Sequence, residues 1–88
     1  MRLISENNKL DIPYEYVTLS IVYISCTPNR PVYQIMAYPM LAHEAPIVIA
    51  EYRTLKRAME VMNELRDAYT HSQEFFYFPP GEYEEHTR

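Results

Sequence analysis

The stretch Ile47 to Tyr69, IVIAEYRTLKRAMEVMNELRDAY, constrains the fold of this chain most. Ile47–Tyr52 is apolar except for Glu51 and reads as a strand covered on both faces. It runs directly into a segment with helical periodicity. Thr54 is the natural N-cap, since its hydroxyl can accept from a backbone N–H of the first turn. Arg57 stands where a capping box would carry Glu or Gln. At 100° per residue, Leu55, Ala58, Met59, Val61, Met62, Leu65, Ala68 and Tyr69 share one arc. Lys56, Arg57, Glu60, Asn63, Glu64 and Asp67 share the other. Arg66 falls inside the apolar arc. Its stem can snorkel along the core towards a rim ion pair, or its head can meet a partner chain. No Gly or Pro interrupts residues 54 to 71, which predicts one helix of about 17 residues, roughly 25 Å long.

The segments around this unit read as short strands. Met1 to Ser5 and Leu10 to Ile12 flank Glu6-Asn7-Asn8-Lys9, a turn in which Asn tolerates positive φ, and Pro13 ends the second strand. From Tyr14 to Cys26, Val17, Leu19, Ile21 and Tyr23 alternate with Tyr16, Thr18 and Ser20, the period of a half-buried strand. From Ile21 to Ile24 both faces turn apolar. Thr27 to Pro31 supplies a turn with two prolines, and Val32 to Tyr38 forms the next strand. Pro39 to Pro46, PMLAHEAP, is an unusually apolar loop, with Met40 and Leu41 expected against the body or a partner. Beyond the helix, Phe75 to Phe78 is an aromatic strand stopped by Pro79-Pro80.

This order, β-β-β-β-β-α-β, predicts an α+β fold. About five to six short strands form a mostly antiparallel sheet, with one amphipathic helix over one face. The 88 residues predict a single domain over 1–81 and a charged, disordered tail over 82–88. A domain of this size is marginal alone. Yet 48% of the residues are hydrophobic and nine are Tyr, more than one helix and a small sheet would use. The face away from the helix keeps Val22, Ile24 and aromatic residues such as Tyr77. A patch of that kind predicts a two-fold homodimer, unless the N-terminal hairpin and the 39–46 loop fold over it.

The opening MRLIS, the DIPYE after the first turn, and IAEYRTLKRAMEVMNELRDAYT followed by FFYFP carry a resemblance. The chain resembles a group of small uncharacterised proteins of phages, prophages and conjugative elements in Gram-positive gut bacteria. The likeness covers the ends of the chain better than its centre. Members of that group carry an Asp-Gly turn where this chain has Asn7-Asn8, and an acidic helix start where it has Leu55-Lys56-Arg57. The resemblance brings no catalytic residue. It implies an accessory protein of a mobile element, and such proteins act by binding host proteins, defence nucleases among them.

Charge bears on the partner. The net charge is −4, and four Glu against one Arg lie from Glu74 onward. An acidic chain is poorly suited to the phosphate backbone and better suited to a basic protein surface, which Glu82, Glu84 and Glu85 would meet. Arg53, Lys56 and Arg57 oppose the helix dipole at a helix start, where a phosphate or carboxylate could sit. The plainer alternative is pairing of Lys56 and Arg57 with Glu60 on a solvated face.

His43, His71 and His86 lack the i,i+4 spacing of helical metal ligands, so neither metal nor cofactor is expected. Cys26 reads as a small core residue, and a single Cys fits a reducing compartment. Gly81 is the only glycine, which removes the Gly-rich nucleotide loops. No apolar run is long enough to span a membrane and no leader pattern is seen, so a cytoplasmic location is expected. The leading expectation is a non-enzymatic interaction protein that binds a host protein, as an anti-CRISPR-like inhibitor of a bacterial defence system. The alternative is a nucleic-acid-binding regulator using Arg53, Lys56 and Arg57.

Overall fold

A computed structural model describes residues 1–24, 31–41 and 44–81. The fold is α+β in the expected order. Strands β1 (Arg2–Ile4), β2 (Asp11–Pro13), β3 (Val17–Ile24), β4 (Val32–Pro39) and β5 (Ile47–Tyr52) precede helix α1 (Leu55–Thr70) and strand β6 (Phe75–Tyr77). The strands make two three-stranded sheets, ordered β2-β1-β6 and β3-β4-β5. β1 is antiparallel to β2 but parallel to β6, and the second sheet is antiparallel throughout.

The N-terminal hairpin turns where expected. Asn8 adopts φ 62°, and its N–H donates to the Ser5 carbonyl at 2.9 Å. Ser5 is buried but satisfied, donating to Asn7 Oδ1 at 2.6 Å and accepting from the Leu10 N–H at 3.1 Å. Period-two alternation then places Leu3 between Ile12 and Phe76 on the inner side of the first sheet. The third strand begins later than its alternation implies. Pro13 holds extended backbone, Tyr14–Tyr16 forms one 3₁₀ turn, and β3 starts at Val17.

β3 and β4 pair without interruption from Val17↔Pro39 to Ile24↔Val32. Rows such as Ile21–Ile35–Ala50 face inward, and rows such as Val22–Gln34–Glu51 face outward. β5 carries a bulge: Ile35 pairs with Ala50 and Met36 with Val48, leaving Ile49 as the extra residue. The bulge lets consecutive Ile49 and Ala50 both be buried.

The helix is capped as its sequence predicts, with Thr54 Oγ1 accepting from the Arg57 N–H at 3.0 Å. It packs on β4 and β5. Only the Ala58, Val61, Leu65, Ala68 stripe is buried, while Leu55, Met59 and Tyr69 stay about half exposed. The predicted arc is therefore wider than the surface the sheet offers. Tyr69 finds a partner in Tyr14, ring centroids 4.9 Å apart, edge to face. The helix ends in a Schellman-type turn: the Gln73 N–H donates to the Ala68 carbonyl, and Ser72 takes φ 59°.

Glu6 joins the two sheets. Its N–H donates to the Ile49 carbonyl at 3.1 Å. Its carboxylate accepts from the Glu51 N–H through Oε1 and from the Gly81 N–H through Oε2, both at 2.7 Å. Nearby, the buried Tyr52 hydroxyl donates to the Pro79 carbonyl at 2.7 Å. These bonds tie the segment after β6 to β5 and seat Phe78 in the core.

Hydrogen bonds to a carboxylate contribute about 1.5–3 kcal/mol each, and partial solvent access puts Glu6 at the low end. Glu6→Ala is expected to lower the unfolding free energy by about 2–3 kcal/mol in urea titration, and Glu6→Gln by less, because one amide oxygen replaces two acceptors. Ser72→Gly is expected to raise it by about 0.5–1 kcal/mol by relieving a non-Gly residue at positive φ.

Candidate functional site

A concave apolar surface lies at one end of the second sheet. Three strand ends meet there: the start of β3, the end of β4 and the start of β5. β2 contributes Ile12 and Pro13 alongside. Pro39 closes β4 because it has no N–H to continue the ladder on its far side. One further rung forms beyond it, where the Met40 N–H donates to the Tyr16 carbonyl at 3.0 Å. That rung fixes Tyr16 and Met40 side by side. The Glu44 N–H donates to the Leu41 carbonyl at 3.1 Å.

The resulting groove has a volume of about 560 Å³, within the range of ligand-binding clefts. Its inner wall is Ile12, Val17 and Ile47, and its rim is Tyr16, Met40 and Leu41. Tyr16 is 66% exposed, Met40 68% and Leu41 58%, so these side chains do not tuck against the body. Glu44 is the one charged lining residue among the described residues. A wall this apolar is suited to holding a hydrophobic side chain.

The residues singled out in sequence fall elsewhere. Lys56 is exposed and Arg53 half-buried at the helix start. Arg57 is turned along the helix, with Nη1 3.4 Å from Glu60 and 3.6 Å from Glu64. For Arg57 this is the pairing the plainer alternative describes, with Glu64 added, whereas Lys56 makes no ion pair among the described residues; the Arg57 contacts offset part of the local positive charge. Arg66 donates to Asn63 Oδ1 at 2.8 Å instead of meeting an acid. Val22 and Ile24 are half-buried on the outer face of the second sheet, whereas Tyr77 is 62% exposed on the first sheet. The three candidate dimer residues thus belong to two different sheets. His71 is exposed, with Nδ1 2.8 Å from the Asp67 carbonyl oxygen. Glu82, Glu84, Glu85, His86, Cys26 and His43 lie outside the described residues.

The apolar 39–46 loop was the sequence signal for this groove. Tyr16 and Ile12 carried none, because Tyr16 reads as the outward residue of a strand that in fact begins one position later. Their exposure makes the rim residues dispensable for folding. Met40→Ser with Leu41→Ser is expected to leave the urea midpoint nearly unchanged, within about 0.5 kcal/mol. Leu65→Ala, in the core, is expected to cost about 2–5 kcal/mol in the same titration.

Comparison with protein-family models, curated proteins and solved structures finds no match to this chain.

Proposed function

We propose that this chain is an interaction protein that binds another protein through the groove between Tyr16, Met40 and Leu41. The observation that carries the reading is this set of large, exposed apolar side chains around a concave apolar wall. Surfaces of this kind receive one or two anchor side chains that dominate binding energy. Glu44 at the rim and a net charge of −4 favour a partner whose anchor lies beside Lys or Arg on a basic surface. The sequence resemblance to phage and conjugative-element proteins supplies the narrower reading. There the partner is a host protein, such as a defence nuclease with a basic nucleic-acid groove, and the chain is its cytoplasmic inhibitor. No helix among the described residues is long and apolar enough to cross a membrane.

Binding of nucleic acid by Arg53, Lys56 and Arg57 is the weaker reading, because Arg57 already lies against two carboxylates. The test is capture from lysate of a Gram-positive host, followed by reconstitution with the purified captured protein. The expected result is a partner of basic surface. Its affinity should fall about a hundredfold or more with Met40→Asp plus Leu41→Asp, and should weaken with Glu44→Lys. A partner held equally well by the groove variants would remove the groove from the mechanism.

A further inference from the structure

We infer that β3 is a self-pairing edge: two copies of the chain join antiparallel, β3 to β3, into one continuous six-stranded sheet. This goes beyond the groove and does not depend on what the groove binds.

Edge strands expose unpaired backbone groups, and proteins blunt them by shortness, charge, proline, bulges or cover. Three of the four edges here are managed. β5 is closed on its outer side by the Glu6 backbone and carboxylate. β2 and β6 are three residues long, the first ending in Pro13 and the second followed by Phe78 and two prolines. Among the described residues, β3 has none of these devices. Its eight residues, VTLSIVYI, hold no charge and no proline, and its register with β4 has no bulge.

The direction of its free groups follows from one bond. Tyr16 accepts from Met40, so the even-numbered residues of β3 bond to β4. The N–H and C=O groups of Leu19, Ile21 and Tyr23, and the Val17 C=O, therefore point away from the sheet. Among the described residues only the Val17 N–H is used, donating to the Tyr14 carbonyl in the 3₁₀ turn. Beside this edge runs a shallow groove of about 260 Å³ whose lining mixes Leu19, Ile21, Met59 and Met62 with Asn63 and Arg66, and Met59 is 51% exposed.

A second copy fits this edge in a register that overlaps most of the strand. The two-fold axis passes through Ser20, which faces Ser20 of the second copy in a non-hydrogen-bonded pair, the site of closest side-chain approach. Leu19 then pairs with Ile21 of the second copy and Tyr23 with Val17, giving about six inter-chain backbone bonds. Self-pairing sets like residues near one another, which penalises a charged strand but not this one. Leu19 and Ile21 of the second copy would lie beside the Met59–Met62 groove. The two serine hydroxyls can bond across the axis.

Sedimentation equilibrium on the full chain and three variants tests the pairing. The expected wild-type mass is twice 10.5 kDa. Ser20→Lys and Ser20→Glu should each weaken self-association about a hundredfold or more, by setting like charges across the axis. Mixing the two variants should restore a dimer. Val48→Lys, on the outer face of β5 and away from the edge, should leave the dimer intact. Should the Ser20 variants fail to fold, amide exchange of the wild type decides. The Leu19, Ile21 and Tyr23 amides should be protected at high concentration and exchange faster on dilution. A wild-type mass of 10.5 kDa overturns the inference. So does a Ser20→Lys dimer, a dimer broken by Val48→Lys alone, or exchange at those amides that ignores concentration.

Discussion

The Glu6 carboxylate is the contact on which the rest of the architecture depends. Two three-stranded sheets of unequal size must share one core, and the smaller has strands of only three residues. Strands that short cannot hold themselves in place by ladder bonds. Glu6 supplies the missing restraint at the point where β1 leaves its sheet. Its backbone bonds the bulged Ile49, and its two oxygens reach β5 and the segment after β6. With that segment fixed, Phe78 is held in the core with Leu3 and Tyr52, and Phe76 packs edge to face against it at 5.1 Å. The bulge and the clamp are one device. The extra residue at Ile49 buries two consecutive side chains and occurs where the Glu6 N–H bonds its carbonyl.

That device also sets the chain's exposed backbone. By occupying β5 it leaves β3 as the long edge of the second sheet without such a contact among the described residues. The helix does not compensate, because it packs on β4 and β5 through a stripe that includes two alanines. Small residues bring a helix close to a sheet but give it a narrow footprint. Met59 and Leu55 therefore remain outside the core, and β3 is only half covered on its helix side.

Local elements were legible in the sequence wherever a local rule governed them. Thr54 marked the helix start, the absence of Gly and Pro carried the helix to Thr70, and Asn8 took the positive φ expected of the hairpin turn. The succession of strands along the chain followed from alternation and proline punctuation. Interactions between distant residues were not legible. Glu6 meets Glu51 and Gly81 at separations of 45 and 75 residues, and nothing around it distinguishes it from any turn glutamate. The split into two sheets depends on that same contact and on the parallel β1–β6 pair, which forms only after α1 has carried the chain across. Tyr14–Tyr16 was misread because its aromatic residues fit a strand as well as a 3₁₀ turn. In the candidate site, Met40 and Leu41 stood out because loops are seldom so apolar. Tyr16 and Ile12 acquire meaning only when four strand ends meet.

The groove and the free edge are coupled by where they lie on β3. The groove sits at the Val17 end of the strand, and antiparallel pairing about Ser20 sets Val17 of one copy beside Tyr23 of the other. The two Val17 positions are then six residues apart along the strand direction, about 20 Å at 3.3 Å per residue. A dimer built this way carries two equivalent grooves at opposite ends of one rigid sheet. A partner with two matching anchors, or a partner that is itself a two-fold dimer, would meet both at once. The second contact would then be intramolecular, and avidity would exceed what one 560 Å³ groove provides. A small chain gains in this way what its size denies it: a core too small for a broad binding face is doubled by backbone pairing, with no further side chains needed.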